Sequence, residues 1–194
     1  IPVAYTQGFN PQPVIVFGLP LSVGVTSLAE YADIELTEIM NPSEIKDALN
    51  KELPAGLKIL DVAVKHDQKN IMSLIYMASY EIFVSTENND VINKIKKLLK
   101  KDTIWAVKEG KKGTKEIDIK PMIFDLDIGV MDKMNLAGDK GADRDIYKIT
   151  AMLRAGGEAN LKPDLLISAI NEHTDLNMKI VRIHRIGLFI NKDG

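Results

Sequence analysis

Between residues 73 and 190 the apolar residues change period in a fixed order, and that order limits the fold more than any other feature. Tyr76, Ala78, Tyr80, Ile82 and Val84 alternate with smaller or polar residues, the period-two signature of a strand with one face on a core. Val91, Ile92, Ile95, Leu98 and Leu99 then recur at helical spacing behind Asp90, with lysines on the other side. A glycine-flanked turn, Gly110-Lys111-Lys112-Gly113, marks a hairpin over residues 103–120. Two further alternating runs follow, Met122, Phe124, Leu126, Ile128 and then Tyr147, Ile149, Ala151, Leu153. Pro163 opens a second helix with Leu165, Leu166, Ala169 and Ile170 inward, and residues 178–190 close as a strand. The order is βαββαβ with an inserted hairpin, the ferredoxin-like unit.

The first third reads as part of the same plan. Ile15, Phe17, Leu19, Leu21, Val23 and Val25 predict one strand over residues 14–25, at an edge or bulged at Pro20, which has no N–H to donate. Ala32, Ile34 and Leu36 predict a partner strand. Asn41-Pro42 caps a helix with Ile45, Ala48, Leu49 and Leu53 inward, and residues 57–64 read as another strand. Strand, strand, helix, strand is a ferredoxin-like unit without its leading strand and helix, and Ile1 reads as a point inside a longer chain. The expected fold is therefore α+β, a tandem of ferredoxin-like units: an incomplete one over residues 1–68 and a second over residues 69–194.

Composition narrows the chemistry. The chain has 194 residues and no cysteine, which removes disulfides, thiolate ligands and a cysteine nucleophile. His66, His173 and His184 have no spacing that suggests a metal helix, and no cofactor is expected. No apolar run approaches the roughly 20 residues that span a bilayer, so a cytoplasmic protein with no membrane partner is expected. The formal charge of −2 hides an uneven distribution: residues 1–64 carry 3 basic and 8 acidic side chains, residues 65–120 carry 12 and 8. Nine lysines stand between Lys94 and Lys115, against Asp102 and Glu109. Lys97, Lys101, Lys111 and Lys112 are the candidates for tracking a phosphate backbone, although a solvated helix face gives the same pattern. Lys120 and Arg154, with Arg182 and Arg185, are candidates for a shared anion site if they face one side of the last strands. Asp125 and Asp127 share a strand face, as an exposed sheet surface also would.

A second candidate surface is the loop Tyr5-Thr6-Gln7-Gly8-Phe9-Asn10-Pro11-Gln12-Pro13, in which prolines stiffen a segment carrying amides and aromatics. Tyr5, Gln7, Gly8, Phe9, Asn10 and Gln12 form the expected surface, with Glu30 beside them if the two first strands pair as a hairpin.

This loop, together with Phe17-Gly18-Leu19-Pro20-Leu21-Ser22-Val23-Gly24-Val25 and Ser27-Leu28-Ala29-Glu30-Tyr31, resembles the radical SAM-linked protein family. The likeness continues through Asp118-Ile119-Lys120-Pro121 and Lys162-Pro163-Asp164. Proteins of that family are bacterial and are encoded beside, or fused to, a radical SAM enzyme. The resemblance implies a partner class rather than a mechanism. Two positions depart from its pattern: Gln12 stands where His is usual and Lys120 where Arg is usual, so neither an imidazole nor a planar guanidinium is available there. The expected function is an accessory module that binds RNA or presents a substrate to a radical SAM protein, without activity of its own and with no DNA partner. An RNA-processing or RNA-modifying enzyme of paired ferredoxin-like architecture, and a pure protein–protein adaptor, stand as alternatives.

Overall fold

The computed structural model describes residues 1–66, 69–110, 113–131 and 145–191. It is a mixed α+β molecule with a sheet-rich core and, among the described residues, four α-helices. None of those helices is long and apolar enough to cross a membrane.

The body is built on β4 (Ile75–Thr86), β7 (Ile123–Met131), β8 (Asp145–Arg154) and β9 (Lys179–Ile190). Their spatial order is β9-β4-β8-β7, and every neighbouring pair is antiparallel. Helix α3 (Val91–Leu99) connects β4 toward β7, and α4 (Pro163–His173) connects β8 to β9, so this half has the βαββαβ order that its periodicity predicts. One face of the sheet is apolar because each strand alternates: Ala78, Tyr80, Ile82 and Val84 on β4, and Tyr147, Ile149, Ala151 and Leu153 on β8, are all buried. Against them pack Val91, Ile95 and Leu98 of α3 and Leu166, Ile167, Ala169 and Ile170 of α4, in one continuous core. Each large aliphatic side chain buried there contributes about 1.5–3 kcal/mol relative to exposure. The expected hairpin is present as β5 (Trp105–Gly110) and β6 (Gly113–Asp118), its base resting on α4.

Residues 1–66 differ from expectation. Where one strand is predicted over residues 14–25, there are two short ones, β1 (Ile15–Phe17) and β2 (Val25–Ser27). The break has three local causes. Gly18 is wedged against Ile71 and Ile75, Pro20 cannot donate to a ladder, and Gly24 has φ +84°. β1 pairs antiparallel with β3 (Ala32–Ile34), as predicted, whereas β2 leaves this ribbon and adds to the body's sheet, parallel to β9. Helix α1 (Pro42–Glu52) forms behind its Asn41 cap, which accepts from the Ser43 N–H at 3.0 Å. Residues 57–64 form no strand among the described residues; Ile59 is held instead by the Asn50 side chain, at 2.8 and 3.1 Å. These residues therefore supply a two-stranded ribbon, a helix and one edge strand rather than a second four-stranded sheet. A short helix that the sequence reading did not foresee, α2 (Ile71–Leu74), leads into β4.

Candidate functional site

The chain passes through loop 5–13 between two anchored ends. Val14 N–H donates to Ala4 O at 2.8 Å, Ala4 N–H to Glu35 O at 2.8 Å, and Glu35 N–H to Val14 O at 3.1 Å, so three segments are knotted at the base of the loop. Above this, Tyr5 bridges Pro13, Thr6 N–H donates to Gln12 O at 2.9 Å and Gln12 N–H returns to Thr6 Oγ1 at 3.0 Å. The tip is thereby stiffened from below while Gln7, Gly8, Phe9, Asn10 and Gln12 all stand in solvent. Phe9 is fully exposed and Tyr5 more than half so. A rigidly held aromatic in water suits insertion into a partner's pocket, because little conformational freedom remains to be lost on binding.

Glu30 does not join this loop. The β1–β3 register pairs Phe17 with Ala32 and Ile15 with Ile34, so the chain reaches residue 30 beyond the Phe17 end, whereas the loop leaves from the other end. Glu30 instead accepts from Arg185 Nη1 at 2.9 Å through both carboxylate oxygens. The same Nη1 donates to Leu19 O at 2.9 Å, and Nη2 donates to Pro20 O at 3.5 Å. Arg185 is only 3% exposed, lies 5.7 Å from the Tyr80 ring and has no partner for Nε. Burial pushes the Tyr80 hydroxyl above its usual range, with the nearby guanidinium pulling the other way. Leu28 N–H donates to Arg185 O at 3.0 Å, and Thr26 Oγ1 lies 2.7 Å from His184 Nδ1. Residues 183–185 are therefore the seam that attaches the N-terminal region to the body. On the helix-free face this seam ends a cross-strand row, Asp127, Thr150, Glu81, His184 and Thr26, one residue from each strand, with Lys148 reaching Glu81 at 3.1 Å.

The proposed anion grouping is not formed. Lys120 Nζ donates to Leu99 O and so caps the C-terminus of α3, where carbonyls lack partners and a cation is favoured. Arg154 stacks over Tyr76 at 3.8 Å, Tyr76 stacks on Phe124 at 5.4 Å, and Arg154 also pairs with Glu158 at 3.0 Å. Arg185 is on the core face and Arg182 is exposed, 5.8 Å from the Phe83 ring. Four cations that sequence placed together thus have four separate structural settings.

Lys97 and Lys101 are exposed at the end of α3 and just beyond it. Lys111 and Lys112 lie outside the described residues. Lys108 and Lys115 are exposed and directly opposite each other on β5 and β6. Lys94 is engaged with Asp175 at 2.5 Å, and that hydrogen bond holds the Asp175 carboxyl below its ordinary range. Among the described residues no group of three or more His, Asp or Glu side chains is placed to hold a metal ion.

Arg185 and His184 were not singled out together by sequence reasoning, since their partners lie more than 150 residues earlier. The one available signal was an arginine in the inward register of a closing strand, two residues after Ile183. No curated protein and no solved structure matches the chain. A family model described as "Uncharacterized protein conserved in bacteria (DUF2344)" matches residues 1–163, from ahead of β1 to the first residue of α4. That span is most of the chain, and the protein belongs to this bacterial family, DUF2344.

Proposed function

We propose that the chain is an accessory module of a radical SAM enzyme, docking on it through the N-terminal region and presenting an RNA substrate along the lysine-bearing side of the body. The observation that carries this reading is the apolar surface of residues 1–66. Phe9, Val23 and Ile39 are fully exposed there, and Phe17, Leu28, Leu57, Leu60 and Val64 are more than half exposed. These are the side chains that a docked protein would cover. The resemblance of the opening segment supplies the partner class, and the lysines of α3 and the hairpin supply the charge that a phosphate backbone requires. The tandem ferredoxin-like architecture, with residues 1–68 as the incomplete unit, belongs with this proposal.

The test mixes the purified chain with a radical SAM protein encoded beside it and measures binding by calorimetry, then titrates labelled RNA at low and high salt. Binding to the enzyme together with RNA affinity that falls steeply with salt supports the module. Binding to the enzyme with no RNA affinity leaves a pure adaptor, and the absence of both defeats the proposal.

A further inference from the structure

The β5–β6 hairpin has two chemically different faces, fixed by its register. Ala106 pairs with Ile117 and Lys108 with Lys115 on one face; Trp105 pairs with Asp118, Val107 with Glu116 and Glu109 with Thr114 on the other. Ala106 is buried and Ile117 half-buried, so the lysine face is the continuation of the side that packs inward at the base. From Val107 and Glu116 outward every described residue is exposed, and the ribbon stands clear of the body. Like charges directly opposite each other destabilise a ribbon. Among the described residues neither Lys108 nor Lys115 has an ion-pair partner.

The joint below the ribbon is rigid. Asp118 Oδ1 accepts from Ile104 N–H at 2.9 Å and Lys120 N–H at 3.0 Å, and Ile119 N–H donates to Ile104 O at 2.8 Å. With Lys120 also tied to Leu99 O, the end of α3 and the root of the hairpin form one piece. The ribbon that carries Lys108 and Lys115 is therefore rooted in the body through its backbone, with the ammoniums on flexible stems above it.

We infer that the lysine face of β5–β6 is the site that grips RNA, Lys108 and Lys115 each neutralising one backbone phosphate, with the Trp105–Glu109 and Glu116 face turned away. This rests on the RNA part of the function proposed above. A phosphodiester chain carries a charge at every nucleotide, so adjacent ammoniums find partners in any register. A lipid surface is the poorer fit, because the exposed large apolar side chains of the ribbon, Trp105 and Val107, are on the face opposite the two lysines. Glu109 and Glu116 repel phosphate on the far side and make the contact one-sided. Trp105 belongs to that far side, so base stacking on it forms no part of the site.

The experiment is fluorescence anisotropy with a labelled, mixed-sequence single-stranded RNA over a range of KCl concentrations. Replacing both lysines, Lys108→Gln with Lys115→Gln, should weaken binding about ten-fold at low salt and reduce the log K against log salt slope by about 1.4, or about 0.7 for each phosphate contact to a single strand. Glu109→Gln with Glu116→Gln should leave binding within about two-fold or strengthen it, since removing far-side acids takes away only repulsion. Unchanged circular dichroism controls for folding, as all four side chains are exposed. If RNA binds the unaltered chain and the double lysine variant binds equally well, the ribbon assignment is wrong while the module reading stands. If the unaltered chain shows no salt-dependent RNA binding, the RNA reading itself fails. Polyglutamate or anionic vesicles bound as tightly as RNA, with the same loss in the lysine variant, would overturn RNA as the ligand of this face.

Discussion

Residues 1–66 and the body that follows use apolar residues in opposite ways. In the body, alternation is converted into burial: Ile82, Ile149 and Leu153 are wholly shielded, and two helices close over one sheet face. In residues 1–66 the same alternation, Ile15 to Val25, buries only Gly18 and Leu19, and helix α1 has no buried residue. The strands there are three residues long and depend on the edge of β9 and on a small knot of backbone hydrogen bonds. Two-stranded ribbons and lone helices are marginal in water. The difference separates a part that turns its apolar residues into a core from a part that leaves many of them exposed.

The widest gap between the regions should appear in core truncation. Ile82→Ala in central β4 is expected to cost about 4 kcal/mol, within the usual range for a wholly buried isoleucine. Ile45→Ala in α1 should cost less than about 1 kcal/mol. Urea unfolding of both variants checks this, and equal losses would erase the distinction. Gly156→Ala belongs with the large effects. Gly156 has φ +115°, and an added Cβ would lie 2.2 Å from Ile75 O, a backbone atom that cannot swing aside. About 3 kcal/mol is expected from the clash and the strained φ together.

Next in size is the seam. Glu30→Gln removes the carboxylate that faces buried Arg185, but Glu30 is itself partly open to water, so the loss is put at roughly 1–2 kcal/mol rather than the larger value for a fully enclosed pair. Its location is more telling than its size. Hydrogen exchange should accelerate at Leu28 N–H and across β2, while the β4–β8 amides keep their protection. Uniform acceleration throughout the sheet would mean that the two regions unfold as one.

These outcomes bear on what the sequence could reveal. The body was legible because each element has one apolar face and a sharp stop: Asp90 before α3, Pro163 at the start of α4, glycines at the hairpin turn. Period two, however, reports the ability to bury a face and not the presence of a sheet to bury it against. Hence residues 14–25 and 57–64 read as strands although only short pieces of the first pair at all. The hairpin of β1 with β3 was foreseen, but its register sends Glu30 away from loop 5–13. The lysine-rich stretch was visible as charge; which lysines share a face depends on the Lys108–Lys115 pairing, which composition does not encode. Lys120 looked like a ligand group because its use as a cap requires knowing that α3 ends beside it.

That cap is a smaller test. Lys120→Met keeps the stem but loses the ammonium at Leu99 O, and about 0.5–1 kcal/mol should follow, as for other cations at helix C-termini. The expected consequence beyond stability is a looser hairpin root, visible as faster exchange at Ile104 N–H. Retention of both stability and exchange would remove the rigid joint from the argument for the ribbon.

The smallest change in stability should come from Phe9→Ala, and it separates the two regions most cleanly. A fully exposed ring contributes almost nothing to the folded chain, so thermal unfolding should move by no more than about 0.5 kcal/mol. A ring that enters a partner's pocket behaves differently, since truncating such an anchor costs about 2 kcal/mol of binding, or roughly thirty-fold in Kd. The base of the loop is held by Tyr5, Thr6, Gln12 and Pro13, none of which the substitution touches, so the tip keeps its shape while losing its aromatic surface. Calorimetry against the proposed radical SAM partner should therefore show weaker binding with unchanged folding. Thr6→Ala, which removes the hydroxyl that accepts from Gln12 N–H, should weaken binding less and through loosening of the loop. Full binding by Phe9→Ala would place docking elsewhere on the apolar surface, with Phe17, Leu28 and Val23 the next positions to truncate.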